Sequence, residues 1–145
     1  MQGWQNQNQG WGHQQNVGHI QSGSETSGNL SPPFNPNQDV AIVSAMDPNM
    51  VLDVSSENKL IIWKKHGMKN QRWRISQQNG KYALFNFSGG IAGVPNNSKD
   101  DCTIIEVNQP KFSDSELWEF VQAQKDTNNG YAIKSFCGKC LDINE

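Results

Sequence analysis

Residues 1–38 contain no lysine and no arginine, and Glu25 is their one acid. Apolar residues are sparse there among Gln, Asn, Gly and Ser, and the segment closes on Pro32-Pro33-Phe34-Asn35-Pro36. Ordering a backbone costs roughly 1–2 kcal/mol per residue, and this composition buries too little apolar surface to offset that. The reading is a disordered, low-complexity, prion-like tail, with Trp4 and Trp11 as candidate points of self-association.

Other absences narrow the function. No apolar run approaches the roughly 20 residues of a helical membrane span. No apolar h-region opens the chain, so a cytoplasmic location is the expectation. Three cysteines, an odd number, do not make a disulfide framework. Cys137-Gly138-Lys139-Cys140 is a lone CxxC, zinc asks for four ligands, and His13 and His19 lie in the tail. No metal and no cofactor are therefore expected. The three histidines are scattered and no acids are spaced as a catalytic pair, so no nucleophile, base and orienter assemble and an enzyme is not expected. A net charge of -2 argues against nucleic acid as a partner. Lys64, Lys65, Lys69, Arg72 and Arg74 still form an acid-free basic cluster, either a solvated face or an anion contact.

What the chain does have is a degenerate repeat from residue 39 onward. Val40-Ala41-Ile42-Val43-Ser44 returns as Tyr82-Ala83-Leu84-Phe85 and as Tyr131-Ala132-Ile133-Lys134-Ser135. Val51-Leu52-Asp53-Val54 returns as Cys140-Leu141-Asp142-Ile143, with a weaker Ile91-Ala92-Gly93-Val94 between. Leu60-Ile61-Ile62-Trp63 is matched by Thr103-Ile104-Ile105-Glu106, and Gln71-Arg72-Trp73 by Glu116-Leu117-Trp118. Order is kept at a period of roughly 40 to 50 residues, which marks arrays and propeller-like folds. The segments are short, β-branched and aromatic, and divided by turn signals such as Asn79-Gly80 and Gly89-Gly90. An all-β fold follows, with repeats closing on one another because one unit cannot bury its own apolar face.

These residues resemble the ricin-type β-trefoil lectins, known for their Gln-x-Trp repeat. The first copy carries the likeness: Leu52-Asp53-Val54, then Trp63, His66 and Asn70-Gln71-Arg72-Trp73. The resemblance implies a β-trefoil of three pseudo-repeats over residues 39–145, a non-catalytic carbohydrate-binding module, and galactose- or xylan-type glycans as partners. The chemistry of a sugar explains the residue types. A pyranose has an apolar C–H face that packs on an aromatic ring and a rim of hydroxyls needing donors and acceptors. Asp53 would accept from two hydroxyls, Trp63 would be the platform, Asn70 would offer both a donor and an acceptor, and His66 would close the rim. In the family Gln71 mainly ties the repeat together, and Trp73 belongs to the core.

The chain also departs from the pattern. Ile61 stands where the family commonly has Gln, and the loop from Asp53 to Trp63 is short. Asp53 has an alternative role as a turn residue capping a backbone N–H. Gly93 and Glu106 replace the aspartate and the aromatic of the second copy, which is expected to be sugar-inactive. The third copy keeps Asp142 but would need roughly another 25 to 30 residues for its aromatic and Asn, so a longer protein or a completing second chain is expected. The competing reading is an intracellular protein-interaction scaffold: a sugar-inactive trefoil with a self-associating tail.

Overall fold

The computed structural model describes residues 2–5, 38–122 and 130–144. β-Branched and aromatic side chains suit a pleated, half-buried surface, and the described chain is mostly short strands. They are β1 (Gln2–Gln5), β2 (Asp39–Val40), β3 (Met50–Val54), β4 (Leu60–Lys64), β5 (Trp73–Gln78), β6 (Lys81–Asn86), β7 (Ile91–Gly93), β8 (Glu106–Asn108), β9 (Glu119–Gln122), β10 (Tyr131–Lys134) and β11 (Asp142–Asn144). Three single-turn 3-10 segments, at Lys69–Gln71, Pro95–Asn97 and Asp114–Glu116, are the helical elements among the described residues. The sheets run β11-β1-β4-β3, β10-β9 and β2-β5-β6-β7-β8, with antiparallel pairing throughout the described strands.

Turn chemistry sets the register. Asn79 and Gly80 both take positive φ, 53° and 79°, and join β5 to β6 with Gln78 opposite Lys81. That is the Asn-Gly two-residue hairpin, whose twist matches the strands. Gly90 serves a different need: a Cβ there would lie 3.1 Å from the Asn108 carbonyl.

The repeat reappears in the hydrogen bonds. Ser44, Asn86 and Ser135 are buried polar residues at matching positions, each at the mouth of a turn. Their backbone N–H groups donate to Met50, Gly90 and Lys139 carbonyls at 2.9, 3.0 and 2.7 Å. The indole N–H of Trp73 donates to the Leu52 carbonyl at 3.2 Å, and that of Trp118 to the Ala92 carbonyl at 3.0 Å. Both rings are fully buried, Trp73 as the resemblance implies, in one core with Ile42, Leu60, Ile75, Leu84, Ile105, Ile133 and Leu141. Each such side chain contributes about 1.5–3 kcal/mol by leaving water. Leu60 N–H to the Ile105 carbonyl (2.9 Å), Val107 N–H to the Asn58 carbonyl (2.8 Å) and the Lys59–Glu106 ion pair (2.6 Å) lace the first copy to the second.

The tail departs from expectation at one place. Residues 2–5 are a strand, paired with β4 (Gly3 opposite Ile61) and with β11 (Trp4 opposite Ile143). The facing edges of β4 and β11 offer backbone donors and acceptors that need partners, and a short strand supplies them without a core of its own. Residues 6–37 lie outside the described residues, as does the disorder expected there.

Candidate functional site

The candidate site lies on the β3–β4 hairpin and the loop that follows it. Asp53 and Ile61 are cross-strand partners, and Val51 faces Trp63. Directly opposed residues share a sheet face, so Trp63 is the diagonal neighbour of Asp53, roughly 7–8 Å away along the strands. Trp63 is 42% exposed, an uncommon state for so large an apolar ring and unlike Trp73 and Trp118, which are fully buried. Ile61, in the place of the family's Gln, presents an apolar side chain opposite the carboxylate.

Gln71 organises the loop. Its Oε1 accepts from the backbone N–H of His66 (2.7 Å) and of Gly67 (3.0 Å). Its Nε2 donates to Asp53 Oδ2 (2.8 Å) and to the Lys64 carbonyl (2.9 Å). Four hydrogen bonds satisfy the whole amide, which is why a side chain only 1% exposed is tolerated in a mostly apolar interior. Asn70 Nδ2 donates to Asp53 Oδ1 at 2.6 Å, and the Asn86 amide holds the Asn70 carbonyl at 3.1 Å. His66 Nε2 stands 3.6 Å from Asp53 Oδ2. Its Nδ1 accepts from the Met68 N–H at 3.1 Å, so in a neutral ring the proton sits on Nε2 and points toward the carboxylate.

The fold thus brings Asp53, His66, Asn70 and Gln71 into contact and sets Trp63 beside them. The Asn70 donor expected to face a sugar is spent on Asp53. Asp53 itself is 2% exposed, its two oxygens clamped by two amides, with His66 over what remains. A carboxylate has about four lone-pair sites, so two stay open, but a ligand reaches them only if the His66 ring swings aside. The basic cluster is split by its surroundings. Asp39 pairs with Arg72 and raises its already high pKa, and the Arg72 and Arg74 guanidiniums lie 5.1 and 5.4 Å from the Phe87 ring centroid.

The model of the ricin-type beta-trefoil lectin domain-like family matches residues 69–145. The chain belongs to this family. No curated protein matches the chain. Among solved structures, the Polyporus squamosus lectin bound to the epitope Neu5Aca2-6Galb1-4GlcNAc is 24% identical, with a TM-score of 0.62 over 74% of this chain and 40% of that one. The Macrolepiota procera ricin B-like lectin in complex with lactose is 19% identical, with a TM-score of 0.58 over 76% of this chain and 87% of that one. A mosquitocidal holotoxin gives 18% and 0.61, over 80% of this chain and 17% of its own length. Likeness at these identities shows the fold, a β-trefoil. The chain spans well under half of the Polyporus lectin and of the holotoxin.

Within this ricin-type trefoil, position-by-position reading missed an exchange in the second repeat. Gly93 replaces Asp53, and Glu116 replaces Gln71. Glu116 accepts from the Lys111 N–H at 2.8 and 3.1 Å and from the Ser113 N–H at 3.2 Å, much as Gln71 accepts from residues 66 and 67. A Cβ at Gly93 would come within 3.0 Å of Glu116 Cγ. The acid has moved from the strand to the loop, and the glycine makes room for it. Both halves of the exchange were visible in the aligned motifs.

Proposed function

We propose that the chain is a non-catalytic carbohydrate-binding module, with a first-repeat site formed by Asp53, Trp63, His66, Asn70 and Gln71. The observation that carries this reading is the solvent-facing Trp63 ring on the same sheet face as a carboxylate whose position two amides fix. A sugar packs its C–H face on Trp63. His66 rotates off Asp53 and its Nε2–H meets a hydroxyl, while the freed lone pairs of Asp53 accept from the ligand. Gln71 positions the loop and touches no sugar. A single shallow site of this kind binds at about millimolar, roughly -4 kcal/mol, so useful avidity needs clustering through other sites or the tail. Both named lectin relatives are described with galactose-containing ligands, which makes lactose and N-acetyllactosamine the first ligands to try.

The deep burial of Asp53 and the apolar Ile61 opposite it favour a second reading, in which the trefoil is a protein-interaction scaffold and Asp53 only braces the loop. A glycan array of the full chain beside Trp63→Ala separates the two. Trp63 is a surface residue, so its loss leaves the core intact. A coherent set of glycans bound by the parent and lost in Trp63→Ala supports the module. A blank array from a folded parent sinks it and leaves the scaffold.

A further inference from the structure

The second repeat lacks the aspartate and the aromatic of the first, yet it carries a recess of its own. A cleft of about 380 Å³ opens between the Pro95–Asn97 turn and the Lys111–Glu116 loop. A second, of about 210 Å³, adjoins it, and Ile91, Ser113 and Glu116 line both. Phe112 lines the smaller one and is 87% exposed. Its φ is 58°, in the left-handed region that a bulky residue avoids. The matching residue of the first repeat is Gly67, at φ 78°, which takes that conformation freely. Exposure and strain both count against a phenylalanine here, and no packing in the core repays either.

We propose that the second repeat is a second carbohydrate site, rebuilt with its carboxylate at Glu116 and its aromatic platform at Phe112, and that it takes an oligosaccharide rather than a single sugar. The proposal rests on the carbohydrate-binding reading above, but on none of the first site's residues. The larger cleft supplies what a hydroxyl rim needs. Asn96 and Asn108 offer amides, and Glu106 is held in place by Lys59 at 2.6 Å and Asn108 Nδ2 at 3.0 Å. Glu116 keeps lone-pair capacity beyond its backbone bonds. The smaller cleft adds the ring on which a neighbouring sugar packs. A ligand using both crosses the wall formed by Ile91, Ser113 and Glu116, so it must be longer than one unit.

The test is amide chemical-shift mapping on the isotope-labelled full chain, titrated with xylotetraose, lactose, xylose and galactose. It is run on the parent, Trp63→Ala and Phe112→Gly; the last restores the first repeat's residue and relieves the strained φ, so it folds. The expected result is perturbation of Gly93, Asn96, Ser113 and Glu116 by xylotetraose or lactose, at least tenfold weaker with the monosaccharides. It persists in Trp63→Ala and weakens at least tenfold in Phe112→Gly. Shifts confined to His66–Gln71 and lost in Trp63→Ala overturn this inference while leaving the first site standing. Shifts at neither repeat overturn both readings. Second-repeat shifts that survive Phe112→Gly, or that monosaccharides produce equally well, overturn the platform and the two-cleft ligand.

Discussion

Giving the first repeat the second repeat's acid should fail unless it also receives the second repeat's glycine. Gln71→Glu sets an oxygen where Nε2 now donates to Asp53 Oδ2 at 2.8 Å. Two carboxylates whose charge centres are about 4 Å apart repel by about 4 kcal/mol at an effective dielectric of 20. The donor to the Lys64 carbonyl is lost as well. Proton uptake by one carboxyl relieves part of this, so about 3 kcal/mol of destabilisation is expected at neutral pH, shrinking as pH falls. Asp53→Gly alone leaves the Gln71 and Asn70 amides without their charged acceptor, which costs about 3 kcal/mol. The double variant removes the repulsion and reproduces the Gly93–Glu116 arrangement, keeping a glycine cost of about 0.5–1 kcal/mol, with the orphaned Asn70 donor and the unpaired Lys64 carbonyl at about 1 kcal/mol each. Its loss of about 3 kcal/mol, against about 6 for the singles summed, is a coupling of about 3 kcal/mol, large for a residue pair. Urea denaturation followed by tryptophan fluorescence measures all four corners, since Trp73 and Trp118 report the core. A double variant as unstable as the sum of the singles would refute the claim that the two repeats solve one structural problem by exchanged residues.

Two further predictions follow from the titrating groups. Hydrogen bonding from Lys59, aided by the charges of Lys59 and Lys111, holds the Glu106 carboxyl below the usual carboxylate range. A depressed folded-state value means this stabilisation is complete above the ordinary carboxylate pKa and is lost as pH falls through the depressed one. Glu106→Gln should therefore cost at most about 1 kcal/mol at neutral pH, the scale of a half-exposed pair, and nothing once the parent's carboxyl is protonated; equal losses at both pH values would contradict the assignment. Burial raises the Cys140 thiol pKa, while Cys102 is exposed. At about pH 8 a thiol reagent should label Cys102 in the native protein and reach Cys140 only as the chain unfolds, and rapid native labelling of Cys140 would show that the third repeat opens locally.

The fold was legible in sequence because its signals are redundant. Trp73 and Trp118 each sit two residues after a polar side chain that ties down a loop, and each indole reaches back to the residue before the strand's variable position, Leu52 or Ala92. Any one match is weak, but a set kept in order is a physical requirement, since every copy must plug the same core. Strand β1 carried no such signal. Gln2–Gln5 has neither alternation nor β-branched residues, and its place comes from the edges of β4 and β11 rather than from its own preference.

The site was legible only as a list of residue types, because its chemistry lies in which lone pairs and protons are already spent. Asp53, Asn70 and Gln71 read from sequence as three polar groups available to a sugar. In the fold Asn70 and Gln71 donate to Asp53, so only part of that capacity remains, and what remains sits beneath His66. The second repeat inverts the lesson. Gly93 reads as a lost ligand when it is compared with Asp53 alone, and Glu116 reads as a conservative change when it is compared with Gln71 alone. Taken together they are one transfer of a carboxylate from the strand to the loop, with the absent Cβ at Gly93 leaving room for Glu116. Gly67 and Phe112 are the same kind of pair, a free left-handed residue in one copy and a strained aromatic in the other. A repeat protein offers its own internal control for this, since a residue that pays strain in one copy and none in its counterpart marks where the copies diverged in use.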